Sequence, residues 1–355
     1  MLNKFHAIVL LISFLSLKTV AQVQLYGGIE IGSKGIKMTV LEVDNIKRAS
    51  YTKLDSWSEN IGIARGISID GMLAKEDIDL ATQVVLSNLL KIRNDFKVED
   101  DNIFIVGSSG VAMADNTGDL VRAIKAVTNK DLVFIDPATE GRMLLKGCIP
   151  PKQYSTSMVL DIGGGNTKGG YVDTNNNDDF VFFPLSLNYG TITLTESVLK
   201  KTKIMTIEGF IEKSFEFLPI LRGQIKTMYE SKPQALEKEN IYLSGGAIWA
   251  FYTLSNGESK NIFSLFKLED VLYYDAVLKN NFEKFVEISK TDNEVARVLK
   301  TYSRKHLISA SNLLLVTLEA IPNISDKKLF FAKEGQIAWL VSYVVDRAKK
   351  IKKIN

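Results

Sequence analysis

The stretch Asp161-Ile-Gly-Gly-Gly-Asn-Thr167 lies between two short segments that read as strands, at 157–162 and 168–172. Three successive glycines between strand-like segments predict a tight turn. Glycine has no Cβ, so the backbone N–H groups of such a turn can converge on an anion. The stretch therefore predicts a phosphate-binding turn at the end of a strand.

Two further turns of this kind occur in the chain. Residues 23–31 and 36–43 alternate as strands on either side of Gly32-Ser-Lys-Gly35, and Gly245-Gly246 follows a short strand at 240–244. The turns at 32–35 and 163–165 each open one half of the chain, so we expect a structural duplication, although the halves share little sequence. Two prolines near 150–153 mark the boundary between the halves.

The remaining pattern alternates strands with helices, which favours an α/β fold. Apolar residues at helical spacing or after turn signals predict helices at 76–93, 118–127, 139–146 and 193–200. Short apolar runs predict strands at 102–107, 132–136 and 180–187, with a polar hairpin tip at 175–179. After Gly246 the chain is expected to be largely helical and to end in a helix at 336–351.

Side chains around the turns suit phosphate chemistry. Glu30 and Asp161 precede the first two turns, and two facing acids suit hydrated Mg²⁺, a cation that prefers oxygen ligands. Hydroxyls of Ser33 and Thr167 can donate to phosphate oxygens. The positive charges come from Lys34, Lys37 and Lys168. Each feature alone is ordinary, since a glycine run is more often a plain turn, but three such turns at strand ends favour a binding site.

Composition excludes several classes of function. The chain has 355 residues with 46% hydrophobic and 24% charged residues, which is ordinary globular usage for about two domains. It contains one cysteine, Cys148, which we expect to be buried, and two histidines, His6 and His306. Zinc sites and histidine-based triads are therefore excluded. The formal charge of +3 falls to +1 without Lys4 and Lys18 of the first 21 residues, so nucleic acid is not an expected partner.

The N-terminus resembles an export signal. A short basic start precedes an apolar run at 7–17, and Thr19-Val-Ala21 resembles a cleavage site. We expect residues 1–21 to be a signal peptide and the mature chain to be periplasmic or secreted, without stable membrane insertion. The run is shorter than the roughly 20 apolar residues that span a bilayer. The alternative is a buried N-terminal strand or helix.

Several motifs in order resemble the exopolyphosphatase / guanosine pentaphosphate phosphatase (Ppx/GppA) family of the actin-like ATPase superfamily. The motifs are Ile29-Glu-Ile-Gly-Ser-Lys-Gly-Ile-Lys37, Val106-Gly-Ser-Ser-Gly-Val-Ala-Met-Ala114, Ile135-Asp-Pro-Ala-Thr-Glu-Gly-Arg-Met-Leu144, Leu160-Asp-Ile-Gly-Gly-Gly-Asn-Thr167, Phe183-Pro-Leu-Ser-Leu-Asn-Tyr-Gly190 with Leu194-Thr-Glu196, and Ser244-Gly-Gly-Ala247. The resemblance covers nearly the whole chain after the expected signal peptide.

The resemblance implies two ribonuclease-H-like domains, 23–150 and 151–355, that flank a central cleft. It also implies hydrolysis of a terminal phosphoanhydride bond in polyphosphate or a nucleotide polyphosphate. Glu140 takes the place of the family's general base, and Glu30 and Asp161 complete the catalytic set as ligands of Mg²⁺. Whether chains pair as a homodimer is left open. The expected phosphate-binding residues are Gly32, Ser33, Lys34, Lys37, Ser108, Ser109, Gly163, Gly164, Gly165, Asn166, Thr167, Lys168, Gly245 and Gly246.

The sequence departs from the family pattern at four places. The first acid is Glu30 where aspartate is usual, and Ala112 and Thr193 stand where arginines are usual. Lys168 stands where glutamate is usual, and we expect it to form an ion pair with Asp161 that replaces a metal. Two losses of a planar guanidinium are expected to weaken the binding of long polyanions.

Three functions follow from these features. The first is an exported Mg²⁺-dependent phosphatase that uses Glu140. The second is a phosphate or nucleotide sensor that kept the cleft without turnover, which Lys168 and Ala112 favour. The third is an ATP-dependent kinase, ATPase or actin-like filament protein, which export disfavours because ATP is scarce outside the cytoplasm.

Overall fold

The computed structural model of the protein describes residues 24–45, 50–173, 181–200 and 206–354. The expected signal peptide at 1–21 and the expected hairpin tip at 175–179 lie outside the described residues. Among the helices in the described parts of the chain, none is long and apolar enough to cross a membrane.

The first sheet contains five strands: β1 (Gln24–Ile31), β2 (Gly35–Asn45), β3 (Ser50–Asn60), β4 (Ile103–Gly107) and β5 (Leu132–Phe134). Their spatial order is β3-β2-β1-β4-β5. Strands β1, β2 and β3 pair antiparallel, whereas β4 runs parallel to β1 and β5 runs parallel to β4. The predicted hairpin around Gly32–Gly35 is confirmed.

The second sheet contains six strands: β6 (Ser157–Ile162), β7 (Thr167–Asp173), β8 (Val181–Leu187), β9 (Asn240–Ser244), β10 (Phe263–Phe266) and β11 (Lys328–Ala332). Their order is β10-β11-β9-β6-β7-β8. Strands β6, β7 and β8 again form an antiparallel meander, and β9 and β11 follow in parallel. Apart from the antiparallel edge strand β10, this sheet repeats the order of the first, which supports the expected duplication.

The sequence did not predict three of these strands. Strand β3 carries mostly polar side chains, and most of them are exposed, so it lacks the apolar alternation that marks a strand. Its backbone pairs with β2 along nearly its whole length. Strands β10 and β11 are only four and five residues long, and helices precede and follow them. The prediction that the chain after Gly246 is largely helical is confirmed, but these two short strands were not predicted.

Twelve helices lie within the described residues: α1 (Ile67–Asp70), α2 (Lys75–Asn94), α3 (Thr117–Thr128), α4 (Pro137–Cys148), α5 (Thr191–Leu199), α6 (Ile207–Glu230), α7 (Gly246–Asn256), α8 (Leu268–Asn280), α9 (Glu283–Ser289), α10 (Asn293–Thr301), α11 (Arg304–Glu319) and α12 (Gly335–Ile354). The predicted helices at 76–93, 118–127, 139–146, 193–200 and 336–351 are confirmed with small shifts at their ends.

Helices α4 and α12 lie between the two sheets. One apolar cluster joins Leu144 and Cys148 of α4, Trp339 and Leu340 of α12, and residues from both sheets such as Val159. Cys148 is buried, as expected. Each sheet also has its own core on the opposite face, with α2 and α3 on the first sheet and with α6, α7, α8 and α11 on the second. The domain boundary at 150–151 stays a prediction.

Candidate functional site

The glycine-rich turns at 32–35 and 163–165 lie at the ends of β1 and β6, and the inner faces of these strands face α4 and α12. Side chains alternate between the two faces of a strand, so Glu30 shares the inner face of β1 with Gly28, which lies against α12. In the same way Asp161 shares the inner face of β6 with Val159, which belongs to the cluster around α4 and α12. Because side chains alternate along each strand, both acids therefore point into the space between the sheets.

Each acid faces a lysine across its hairpin. In the ladders Glu30 is the partner of Lys37, and Asp161 is the partner of Lys168. Partners in an antiparallel pair point to the same face, so both lysines also turn inward. Lys37 Nζ lies 3.3 Å from Glu30 Oε1, and Lys168 Nζ lies 3.4 Å from Asp161 Oδ2. The expected ion pair between Lys168 and Asp161 is thus present.

The two turns are in contact with each other. A Cβ added to Gly165 would lie 2.5 Å from Ser33 Oγ, and one added to Gly110 would lie 2.6 Å from the same atom. Real Cβ atoms do not approach so closely, so a side chain at either place would force Ser33 to move, and one at Gly165 would also lie 2.8 Å from the carbonyl oxygen of Gly110. The third turn joins them, because Gly245 has φ of +93° and a Cβ there would lie 2.1 Å from Asp161 Oδ1. Three turns that are distant in sequence therefore converge.

A cavity of about 190 Å³ lies beside these turns. Most of the expected site residues line it: Glu30, Gly32, Ser33, Lys34, Lys37, Ser108, Asp161, Gly163, Gly164, Lys168, Gly245 and Gly246. A second cavity of about 520 Å³ adjoins it and shares Lys37, Trp249 and Arg297 with it. We call these the inner and the outer cavity.

Five expected site residues lie behind the wall of the inner cavity: Ser109, Glu140, Gly165, Asn166 and Thr167. The hydroxyl of Thr167 donates to the carbonyl of Tyr189 at 2.8 Å and is fully buried. Asn166 Nδ2 donates to Ser109 Oγ at 2.9 Å. These side chains support the turns, and their role as phosphate ligands stays a prediction.

Glu140 is completely buried, with 0% of its surface exposed, in the first turn of α4. The carboxylate of Asp136 begins this helix by accepting from the backbone N–H of Thr139 at 2.8 Å. Oε2 of Glu140 accepts from the backbone N–H of Ser109 at 2.9 Å and from its hydroxyl at 2.6 Å. Oε1 lies 3.1 Å from Lys168 Nζ. Oε2 of the expected base is therefore hydrogen-bonded, whereas Oε1 has an ion-pair contact with Lys168 but no hydrogen-bond partner among the described residues.

Lys168 is the centre of a buried charge cluster. Only 7% of its side chain is exposed, and it pairs with both Glu140 and Asp161. Burial lowers the pKa of Lys168, but the carboxylates of Asp161 and Glu140 outweigh it and raise the pKa above its ordinary value. Burial raises the pKa of Glu30 to about 7, with Lys37 opposing and Glu140 adding to the shift. One ammonium thus neutralises part of an acidic cluster that water hardly reaches.

Three other residues that line the inner cavity were not predicted from the sequence. Arg297 of α10 and Tyr302, which follows α10, line the inner cavity together with Trp249 of α7. The guanidinium of Arg297 lies 4.7 Å from the centre of the Trp249 ring, and Lys34 Nζ lies 5.3 Å from the centre of the Tyr302 ring. The available signal for Arg297 was its place on the exposed face of a strongly amphipathic segment, which is common to many surface helices.

The model of the Ppx/GppA phosphatase family matches residues 42–332 of this sequence. The chain belongs to the Ppx/GppA phosphatase family. Among curated proteins none matches the sequence significantly.

Several solved structures are similar to this member of the Ppx/GppA family. The Aquifex aeolicus family member has a TM-score of 0.63 and 18% identity, covering 94% of this chain and 99% of that one. An exopolyphosphatase from Cytophaga hutchinsonii has a TM-score of 0.69 and 15% identity, covering 91% of this chain and 98% of that one. An exopolyphosphatase-like protein has a TM-score of 0.71 and 16% identity, covering 93% of this chain and 99% of that one. At these identities the similarity concerns the fold, and the expected α/β fold and Ppx/GppA family are confirmed.

Phosphatases of the Ppx/GppA family generally depend on a divalent metal. Here Glu30 Oε2, Glu140 Oε1 and Asp161 Oδ1 are buried without a hydrogen-bond partner among the described residues, as ligand oxygens would be. However, Lys168 Nζ lies 3.4 Å from Asp161 Oδ2, and its positive charge also acts on Glu30. In the described parts of the chain no group of three or more acidic, histidine or cysteine side chains could hold a metal. With Lys168 in this position, the donor set does not fit Mg²⁺.

Proposed function

We propose that the protein hydrolyses the terminal phosphoanhydride bond of polyphosphate or of a nucleotide polyphosphate. The observation that carries this proposal is the convergence of the three glycine-rich turns beside an inner cavity lined by Lys34, Lys37 and Arg297. A cavity of about 190 Å³ is small for a whole drug-sized ligand, but it suits a terminal phosphate group whose chain continues into the outer cavity.

Positive charge and free backbone donors favour a phosphate in the inner cavity. Helix α7 begins at Gly246, on the cavity wall, and the N-terminus of a helix attracts anions because its first N–H groups have no partner within the helix. Lys34, Lys37 and Lys168 add ammonium groups on the same wall. These groups would stabilise the negative charge that develops on the oxygens during phosphoryl transfer.

Glu140 is the proposed general base. A base must come within hydrogen-bonding reach of the attacking water, directly or through one more water. In the present arrangement Ser109 donates to Oε2 of Glu140 and the ammonium of Lys168 lies against Oε1, so the side chain has to exchange its contact with Lys168 for the water. A phosphate oxygen that approaches Lys168 Nζ would promote this exchange, because it offers the ammonium a second anionic partner.

The proposal also places hydrolysis outside the cytoplasm, since residues 1–21 have the sequence pattern of a signal peptide. Substrates there would be polyphosphate or released nucleotides.

The test is phosphate release by residues 22–355 from polyphosphate and from guanosine tetra- and pentaphosphate, with and without Mg²⁺. We expect release by the unchanged chain and a loss of about 10²–10⁴-fold in Glu140→Gln. Glu319→Gln serves as the control, because Glu319 is a partly exposed residue of α11 that pairs with Arg222. Release from the unchanged chain that does not exceed release from Glu140→Gln would rule out this use of Glu140.

A second function, phosphate binding without turnover, is favoured by the burial of Glu140 and its contact with Lys168. It predicts saturable heat of binding with pyrophosphate or triphosphate and no phosphate release above background. Loss of that binding in Lys34→Gln would assign it to the inner cavity. Release that depends on Glu140 would contradict this second function.

A further inference from the structure

The ammonium of Lys168 lies where a divalent cation bound to the carboxylates of the site would have to lie. Its Nζ lies 3.1 Å from Glu140 Oε1 and 3.4 Å from Asp161 Oδ2, and its charge reaches Glu30. A Cβ added to Gly163 would lie 3.1 Å from the same Nζ, so the ammonium sits directly beneath the phosphate-binding turn. A metal ion that bridged these carboxylates and a bound phosphate would need the same space.

The backbone fixes this placement. Lys168 is the ladder partner of Asp161 on one side and of Ser186 on the other, in the middle of the meander β6-β7-β8. The next residue, Gly169, is packed so closely that a Cβ would lie 1.9 Å from the carbonyl oxygen of Val159. A strand held in this way cannot turn Lys168 outward without losing its pairing.

The charges also disfavour a second cation. Glu30, Glu140 and Asp161 supply three carboxylates, and Lys37 and Lys168 supply two ammonium groups. If all are ionised the cluster has a charge of only −1, so little attraction remains for a divalent ion. Mg²⁺ also requires oxygen ligands at about 2.0–2.1 Å in octahedral geometry, which an adjacent ammonium disrupts by like-charge repulsion.

We propose that the ammonium of Lys168 takes the place of the divalent cation in this protein, so that the site binds the phosphates of its ligand without a metal of its own. The inference rests on the proposed function for what the cation does, which is to hold phosphate charge beside Glu140. It does not rest on turnover, because the exclusion of a metal can be measured on the protein without a substrate.

Calorimetric titration of residues 22–355 with Mn²⁺ and with Mg²⁺ tests the proposal, with Mn²⁺ paramagnetic resonance as a second readout of bound ion. We expect no saturable binding to the unchanged chain. Lys168→Gln leaves the carboxylates without their ammonium, and we expect it to bind Mn²⁺ at least about tenfold more tightly. Adding Asp161→Asn to Lys168→Gln should abolish that binding and so locate the ion.

The matched control is Lys37→Gln. Lys37 also pairs with a carboxylate of the cluster, but 27% of its side chain is exposed. If removing any positive charge sufficed, Lys37→Gln would gain as much Mn²⁺ affinity as Lys168→Gln, and the specific role of Lys168 would be wrong. If Lys168→Gln does not fold, Lys168→Met and the titration of the unchanged chain still decide.

The outcomes separate this inference from the proposed function. Saturable Mg²⁺ binding by the unchanged chain, as tight as that of Lys168→Gln and abolished by Asp161→Asn, overturns the substitution of the metal by Lys168. Phosphate release that survives excess EDTA supports both proposals. A chain that excludes metal, binds pyrophosphate and releases no phosphate supports the role of Lys168 while the hydrolytic function fails.

Discussion

The burial of Glu30 predicts a specific pH dependence of stability. Only 2% of this residue is exposed, and burial together with Glu140 raises its pKa from 4.5 to about 7, although Lys37 opposes the shift. The folded chain therefore holds a proton on Glu30 more tightly than the unfolded chain does. Stability from this group is fully present below pH 4.5 and is lost as the pH rises towards 7.

The size of the effect follows from the two pKa values. One pKa unit corresponds to about 1.4 kcal/mol, so a rise from 4.5 to about 7 corresponds to a loss of roughly 3 kcal/mol in the free energy of unfolding. Glu30→Gln removes the titrating group and keeps a side chain of similar shape. Because the other ionisable groups are nearly the same in both chains, the difference between them isolates the contribution of Glu30.

Urea unfolding of both chains at a series of pH values from about 4 to about 8 measures this difference. The free energy of unfolding of the unchanged chain, minus that of Glu30→Gln, should fall by roughly 3 kcal/mol across the interval. Glu283→Gln, changed on the exposed surface of α9, controls for the loss of one carboxylate. A flat difference, or one that rises with pH, would refute the account of Glu30 as a buried acid that favours its proton.

Two further changes test how the site is built. Gly141→Ala places a Cβ 2.6 Å from the carbonyl oxygen of Gly169, so urea unfolding should show a loss of about 1–3 kcal/mol in the free energy of unfolding. Gly223→Ala in α6 is the control, because no atom lies within 4 Å of the added Cβ, and it should gain about 0.5–1 kcal/mol. Ser109→Ala removes the hydroxyl that donates to Glu140 at 2.6 Å, and the same assay should show a loss of about 1–3 kcal/mol; an equal or larger loss in Ser108→Ala would contradict the importance of that bond.

The sequence was sufficient to predict the two hairpins and the acids and lysines beside their turns. Each hairpin places an acid seven residues before a lysine, at 30 and 37 and again at 161 and 168, around a glycine-containing turn. In a symmetric antiparallel hairpin this spacing makes the two residues partners on one face. The ion pair of Lys168 with Asp161 could therefore be predicted from local geometry alone.

The surroundings of the pairs could not be predicted in this way. Arg297 and Tyr302 reach the inner cavity from a helical region more than 120 residues beyond the second turn, and only the packing of α7, α10 and α11 brings them there. The complete burial of Glu140 likewise depends on how closely α4 approaches β7. A glycine at 141 allows that approach, but no local pattern shows which strand the helix will meet.

The duplication gives the protein two lysines in equivalent positions, but only Lys168 is suited to replace a cation. Lys37 and Lys168 occupy equivalent ladder positions, yet 27% of the side chain is exposed at Lys37 and only 7% at Lys168. The difference arises because α4 lies against β7 and brings Glu140 to Lys168. The same packing thus positions the proposed base and neutralises it. A mechanism that uses Glu140 must therefore change its contact with Lys168 in every cycle, whereas a sensor can leave that contact in place.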